Sequence, residues 1–283
     1  MNNINWFPGH IAKAINELKA KLSLVDVVVE LKDARVPLSS SYCDLNKIIG
    51  SKPHLIILNK ADLADNFMLK KFVEYFKNIN NTIVLATSSH NHGDVKAIVE
   101  AILNLAKPQI EKLVARGLNP RPARVMIIGM PNVGKSSFIN KLVKKAKTKT
   151  GAKAGVTRQL SWVRINPKLD LLDTPGIIPV KLTNQLDAVK LACVNGVSEN
   201  AYSHEYVASE LLKILFYKYP KELKNFYKLS NEFTYVDLEM IAKSRNLIMK
   251  NANLNIERAA FMVLNDFRNA KIGKFTLDEL PNL

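Results

Sequence analysis

No stretch of the sequence is apolar for long enough to span a membrane, so no stable membrane association is expected. The opening MNNINWFPGH lacks the basic-then-apolar-then-small-residue order of a secretion signal, which makes the cytoplasm the expected compartment. Only two cysteines occur, Cys43 and Cys193. They match no metal-ligand spacing and suggest no disulfide framework, as suits thiols in a reducing compartment. Neither an internal repeat nor a low-complexity tract is present. Acidic residues are scarce, 25 against 41 Lys and Arg, for a net charge of +16. The deficit is uneven: residues 1–180 hold 27 basic and 13 acidic side chains, residues 181–283 hold 14 and 12. An excess of this kind points to a polyanionic partner, nucleic acid before membrane, since no basic amphipathic anchor is evident.

The 283 residues carry enough apolar content for one large or two medium domains. β-Branched and aliphatic runs at 25–31, 54–59, 82–87, 123–129 and 169–173 read as buried strands, and the alternating 160–165 reads as a strand nearer an edge. Between them, 13–26 has helical spacing with Leu18, Leu22 and Val25 on one side, and 66–78, 93–106 and 135–144 are also helical. From about 184 only helices are expected, at 204–219, 233–244 and 255–272. The predicted fold class is α/β: a mostly parallel sheet with helices on both faces over 1–180, followed by a smaller all-α domain over 181–283. The boundary is expected near 177–186.

The stretch GMPNVGKS (129–136) follows a strand and precedes a helix, the context a phosphate-cradling loop requires. Gly129 and Gly134 permit the tight path that lets backbone N–H groups surround phosphate oxygens, with Asn132 and Val133 in the same stretch and Ser137 just after it. Lys135 supplies positive charge to the outer phosphates, and the Ser136 hydroxyl is placed for Mg²⁺. In LLDTPG (171–176), Asp173 is placed to hold Mg²⁺ through water and the Gly176 N–H to approach the terminal phosphate. Thr157, in a stretch loosened by Gly151 and Gly155, can close over Mg²⁺ when a third phosphate is present.

These parts select no base, whereas NKAD (59–62) does. Asp62 can accept from the two donors on the N1/N2 edge of guanine, Asn59 can donate toward the other edge, and the Lys60 stem can lie across the ring. In an ordinary guanine-nucleotide switch this reader follows the phosphate loop; here it precedes it. Ligand loops of a parallel α/β sheet sit at the carboxyl ends of strands whatever order the chain visits them. The order therefore reads as a circular permutation of a P-loop GTPase domain, not as an accidental match.

This order, with NWFPGH (5–10), DAR-x-P (33–37), NKAD, GMPNVGKS, GVT and LDTPGI, closely resembles the circularly permuted ribosome-biogenesis GTPases, in particular the ribosome biogenesis GTPase A (YlqF) family, over essentially the whole chain. The resemblance implies binding of GTP and GDP with Mg²⁺, GTP hydrolysis, association with the large ribosomal subunit precursor and its rRNA, and action late in the maturation of that subunit. It also implies that the helical C-terminal domain is an RNA-binding element. The second base-binding loop then falls at Thr87 and Ser88, where relatives carry Ser-Ala-Lys. Ile177 stands where ordinary GTPases place a water-orienting glutamine, and the resemblance passes that role to His10. Asn132 is the residue with which related permuted GTPases use K⁺.

The tract 141–158 holds seven basic residues and no acidic one, and it leads directly into the Thr157 loop. Lys144, Lys145, Lys147 and Lys149 are thus candidate rRNA contacts whose grip would depend on the GTP state. A second basic cluster, 107–124, is read the same way, and Arg268, Lys271 and Lys274 recur at roughly helical spacing. Turnover alone should be slow and the ribosomal particle should accelerate it, with a monomer as the expected state. The rival readings are an RNA-bound scaffold with GTP as a structural ligand, and a GTPase acting on another RNA such as tRNA.

Overall fold

The structure, a computed structural model, describes residue 4 and residues 8–41, 44–78, 82–88, 94–150, 161–173, 184–250 and 252–281. β1 (Val27–Asp33) is the spine of the sheet, with all seven residues buried. It lies parallel between β2 (His54–Asn59) and β4 (Ala123–Gly129). β3 (Thr82–Ala86) runs parallel beyond β2, and β6 (Leu169–Asp173) parallel beyond β4. β5 (Ser161–Asn166) closes the far edge antiparallel to β6, as its alternating pattern predicts. The order is therefore β3-β2-β1-β4-β6-β5. Counted from β4 as the first strand, the same sheet reads 6-5-4-1-3-2. The phosphate-loop strand then stands where the winding reverses, the place at which open α/β sheets bind ligands. The fold is that of a circularly permuted GTPase domain.

Both faces are covered. Val27, Val29 and Leu31 join an apolar cluster with Ile98 and Ile102 of α4 (Asp94–Ala115) and with Phe138 and Leu142 of α5 (Lys135–Thr150). On the opposite face Val28, Met126, Ile128 and Leu172 pack under α1 (Pro8–Leu22) and α2 (Leu45–Ile49), while Ile56, Leu58 and Val84 meet Phe72 and Phe76 of α3 (Asn66–Lys77). Each fully buried aliphatic or aromatic side chain of this kind contributes roughly 1.5–3 kcal/mol. That face of β1 also buries charge. The Glu30 carboxylate meets Lys32 Nζ at 3.1 Å and His54 Nε2 at 3.3 Å. Burial pushes the Glu30 carboxyl up, but Lys32 and His54 outweigh it and leave it below its ordinary value.

After β6 the described chain is helical: α6 (Gln185–Cys193), α7 (His204–Lys218), α8 (Pro220–Tyr227), α9 (Leu238–Ser244) and α10 (Ile256–Arg268). Its apolar residues, among them Leu191, Leu211 and Val263, belong to the same continuous cluster as Val29 and Ile127 of the sheet. The polypeptide after α10 then returns to the sheet, where Phe275, Thr276, Leu277 and Asp278 are all buried.

Several boundaries differ from the sequence expectation. α1 ends at Leu22 because Asp26 is tied elsewhere, accepting both Arg121 nitrogens at 2.7 and 2.8 Å and the Arg124 N–H at 2.8 Å. α4 continues through Pro108 to Ala115, nine residues past the expected end. The segment 233–244 is helical only from Leu238, where the Asp237 side chain caps the first turn through the Met240 N–H. α10 stops at Arg268, since Ala270 adopts φ +52° and the Ala270 and Lys271 N–H groups close back on the Phe267 and Asp266 carbonyls. Lys271 and Lys274 therefore lie beyond the helix instead of continuing its spacing. Among the described residues no helix is long and apolar enough to cross a membrane.

Candidate functional site

Register brings the site together. Asp33 pairs with Asn59 across β1 and β2, and Leu31 pairs with Gly129 across β1 and β4, so the carboxyl ends of all three strands share one edge. The Asn59 side-chain amide donates to the Val133 carbonyl at 2.7 Å, and Lys60 Nζ donates to the Asn132 carbonyl at 2.8 Å. Stretches more than seventy residues apart, the expected base reader first, are thus in direct contact. Lys60 takes a left-handed backbone (φ +58°, ψ +36°) as it leaves β2, which sends the chain into the one-turn 3-10 helix Ala61–Leu63 carrying the half-buried Asp62. The Ala61 N–H donates to the Thr87 carbonyl at 3.0 Å, which joins the NKAD turn to the second expected base loop. Thr87 Oγ1 donates to Asp94 at 3.0 Å, and Lys141 Nζ of α5 donates to the Ser88 carbonyl at 2.8 Å.

The phosphate loop is shaped by close approach. At Gly134 (φ +99°) an added Cβ would stand 2.5 Å from the Asn59 side-chain nitrogen, so only glycine lets the base reader and the loop touch. α5 starts at Lys135, leaving the first-turn N–H groups of Lys135, Ser136 and Ser137 without helical partners and the helix dipole positive at this end. Ser136 and Ser137 are exposed and Val133 is buried. Lys135 Nζ donates to the Gly129 and Met130 carbonyls, both at 2.7 Å, and burial lowers its pKa to about 8. An arriving phosphate, by raising that value again, favours the charged form. Asn132 (φ +57°) donates through Nδ2 to the Asn195 carbonyl just past α6, a contact from the helical region onto the loop.

The remaining sequence candidates fall differently. Asp173 ends β6, and because β6 runs parallel to β4 through the pair Met126 and Leu172, it sits at the same sheet edge as the phosphate loop. His10 lies in α1, and Lys144, Lys145, Lys147 and Lys149 lie in the second half of α5. The side chains of these six residues are outside the described part, as are Thr157 and Gly176 altogether. Arg268 does not reach outward to a ligand: its guanidinium donates to the Ala192 and Cys193 carbonyls at 3.0 Å and to Tyr202 Oη at 3.1 Å, and meets Glu199 at 3.3 Å. It is a post that closes the end of α6. Lys271 pairs with Asp266 at 3.2 Å and Lys274 is exposed. In the 107–124 cluster, Arg121 is held by Asp26, and Arg124 lies over the Trp162 ring at 4.9 Å.

Sequence reasoning gave no role to Asp33, Arg35 or Asn195. The first two stand in the DAR-x-P stretch, which marked them as notable without saying what they touch. Asp33 accepts from the Arg35 N–H at 3.1 Å and from the Arg35 guanidinium at 2.9 and 2.8 Å, and it meets Lys60 Nζ at 2.9 Å. Burial alone would raise the Asp33 carboxyl, but Arg35 and Lys60 prevail and hold it well below the usual carboxylate range. Nothing local predicts the Asn195 contact.

Comparison with known proteins agrees with this geometry. A family profile described as "50S ribosome-binding GTPase" matches residues 124–266, from the phosphate-loop strand into α10. The chain is 39% identical to ribosome biogenesis GTPase A of Bacillus cereus over 278 residues, 97% of this chain and 93% of that protein. It is 30% identical to the protein of the same name from Thermotoga maritima, over 97% of this chain and 94% of the other. Among solved structures it resembles GNP-bound YlqF from T. maritima with a TM-score of 0.66 and 26% identity, covering 96% of this chain and all of that one.

Proposed function

Because this chain belongs to the ribosome biogenesis GTPase A family and is a GTP-hydrolysing enzyme, we propose that it acts in the late maturation of the large (50S) ribosomal subunit, with rRNA contact coupled to the GTP state. The observation that carries the nucleotide half of this reading is the pair of bonds from Asn59 and Lys60 to the Val133 and Asn132 carbonyls. They hold the proposed base reader against the proposed phosphate loop. Asp62, with Thr87 and Ser88 behind it, takes the guanine edge; Gly134, Lys135, Ser136 and Ser137 take the phosphates; Gly176 and Thr157 answer the third phosphate. The unit 1–180 is the GTPase domain in this reading, and 181–283 is the helical, RNA-binding one.

GTPases of this type depend on magnesium. An exposed Ser136 hydroxyl at the start of α5, with Asp173 ending a neighbouring strand at the same sheet edge, is a donor set of hard oxygens that suits the ion. Ser136, Thr157 and, through water, Asp173 would hold it, and its charge would offset that of the phosphate oxygens. Asn132 is the residue placed for K⁺. His10 orients the attacking water, a role open to imidazole near neutral pH and closed to Ile177. Lysines 144, 145, 147 and 149 extend α5 away from the phosphates toward RNA, so a nucleotide that orders the Thr157 loop strengthens their grip by linkage of about 1–3 kcal/mol.

The deciding experiment is co-sedimentation with large-subunit precursors in GTP, GDP and no nucleotide, joined to a turnover assay of His10→Ala with and without particles. Retention on the particle with GTP and loss of stimulated turnover in the variant are expected. Equal sedimentation in all three conditions removes the coupling, and full stimulation of the variant removes His10. Turnover in KCl should exceed that in NaCl at matched ionic strength, and identical rates would remove the K⁺ site.

A further inference from the structure

We propose that Asp33 is a positioning residue for guanine selectivity: by anchoring Lys60 it presents Asp62 to the base. The inference rests on NKAD being the guanine reader. Lys60 leaves β2 in a left-handed conformation, and the next two residues are the turn that carries Asp62. What holds that conformation is at the tip of the side chain, where the ammonium sits between Asp33 Oδ2 at 2.9 Å and the Asn132 carbonyl at 2.8 Å. The Asn132 carbonyl belongs to the phosphate loop, whereas Asp33 belongs to the spine of the sheet.

Asp33 is itself immobilised. It is 1% exposed, its register partner on β2 is Asn59, and the Ala34 N–H donates to the Asn59 carbonyl at 2.8 Å. Arg35 clamps both carboxylate oxygens, and its other nitrogen donates to the Arg268 carbonyl at 3.2 Å, tying the clamp to the end of α10. A neutral side chain here would leave two neighbouring cations, Arg35 and Lys60, without their shared counter-charge. Lys60, the more exposed of the two, is the one free to swing away. Asp62 would then lose its alignment while the phosphate contacts remained.

The test compares affinity for GDP with that for inosine diphosphate, which lacks the 2-amino group, in wild type, Asp33→Asn, Asp33→Glu and Asp62→Asn. In Asp33→Asn, GDP affinity is expected to fall by about tenfold or more, the scale of a lost charge-assisted hydrogen bond, and the preference for GDP over inosine diphosphate should shrink with it. A carboxylate that serves only as counter-ion to Arg35 would lower the melting temperature and leave the preference unaltered, and that result overturns the proposal. If Asp33→Asn does not fold, Asp33→Glu decides: it keeps the charge and displaces it by one methylene, so the preference should again narrow, and an unchanged ratio counts against Asp33. An unchanged ratio in Asp62→Asn refutes the NKAD reading instead, which separates the two failures.

Discussion

Two groups of left-handed residues other than glycine, among those described, do different work. In the helical region Lys228, Asn246 and Ala270 close α8, α9 and α10, each with the same pair of backbone bonds to carbonyls three and five residues back. There the conformation serves the helix end and the side chain is incidental. At the proposed nucleotide edge Lys60 and Asn132 adopt similar angles, +58° and +57°, yet each side chain is bonded to another part of the protein, Lys60 to Asp33 and Asn132 to the Asn195 carbonyl. The strain at the helix ends is replaceable, and the strain at the site is retained for its side chains.

Four substitutions or titrations test this contrast, beginning with the largest effect. Gly134→Ala places a Cβ against the Asn59 amide at a φ that alanine rarely adopts. GTP turnover should drop on the order of a hundredfold, because the base reader and phosphate loop no longer meet in register; steady-state phosphate release measures it. Lys60→Gly relieves the backbone but removes the ammonium, so the melting temperature should hold or rise while GDP affinity falls by about ten- to hundredfold. Calorimetry on the same sample reads both, and a joint fall in stability and affinity would erase the distinction between the two settings.

Next comes pH. Lys135 titrates at about 8 in the free protein because it is buried, and bound phosphate holds it charged to higher pH. Nucleotide binding above pH 8 therefore takes up a proton: GDP affinity should be flat below that point and weaken by up to about tenfold per pH unit above it. Lys135→Arg should remove the slope. The smallest effect belongs to Ala270→Gly, which should stabilise the protein by about 0.5–1 kcal/mol in urea unfolding, leaving nucleotide affinity unchanged.

The strands were legible because a buried parallel strand is a short aliphatic run with no need for alternation; 54–59, 123–129 and 169–173 match β2, β4 and β6 residue for residue. α2, α6 and α8 were not legible because five, nine and eight residues give too few turns for a period to emerge. α4 was cut short since Pro108 reads as a stop, though the described helix runs on past it. In the site, the residues expected to meet at the carboxyl ends of β2 and β4 do meet, because loop chemistry and strand order suffice to place them. The inward bonds of Arg268 and the contacts of Asp33, Arg35 and Asn195 were not legible for one reason. Apart from the local pair of Asp33 and Arg35, their partners lie 27 to 233 positions away, which no local pattern encodes.

The return of the chain after α10 has a consequence for biosynthesis. Asp278 accepts the Leu38 and Ser39 N–H groups, the Leu277 N–H donates to the Arg35 carbonyl at 2.7 Å, and the Phe275 N–H donates to the Leu63 carbonyl at 3.3 Å, all across separations of more than 200 residues. The turns proposed to read the base are translated early, but their backbone partners at 275–278 leave the ribosome only much later. A nascent chain can pair its strands beforehand. It completes the proposed guanine edge only after residues 275–278 have been made.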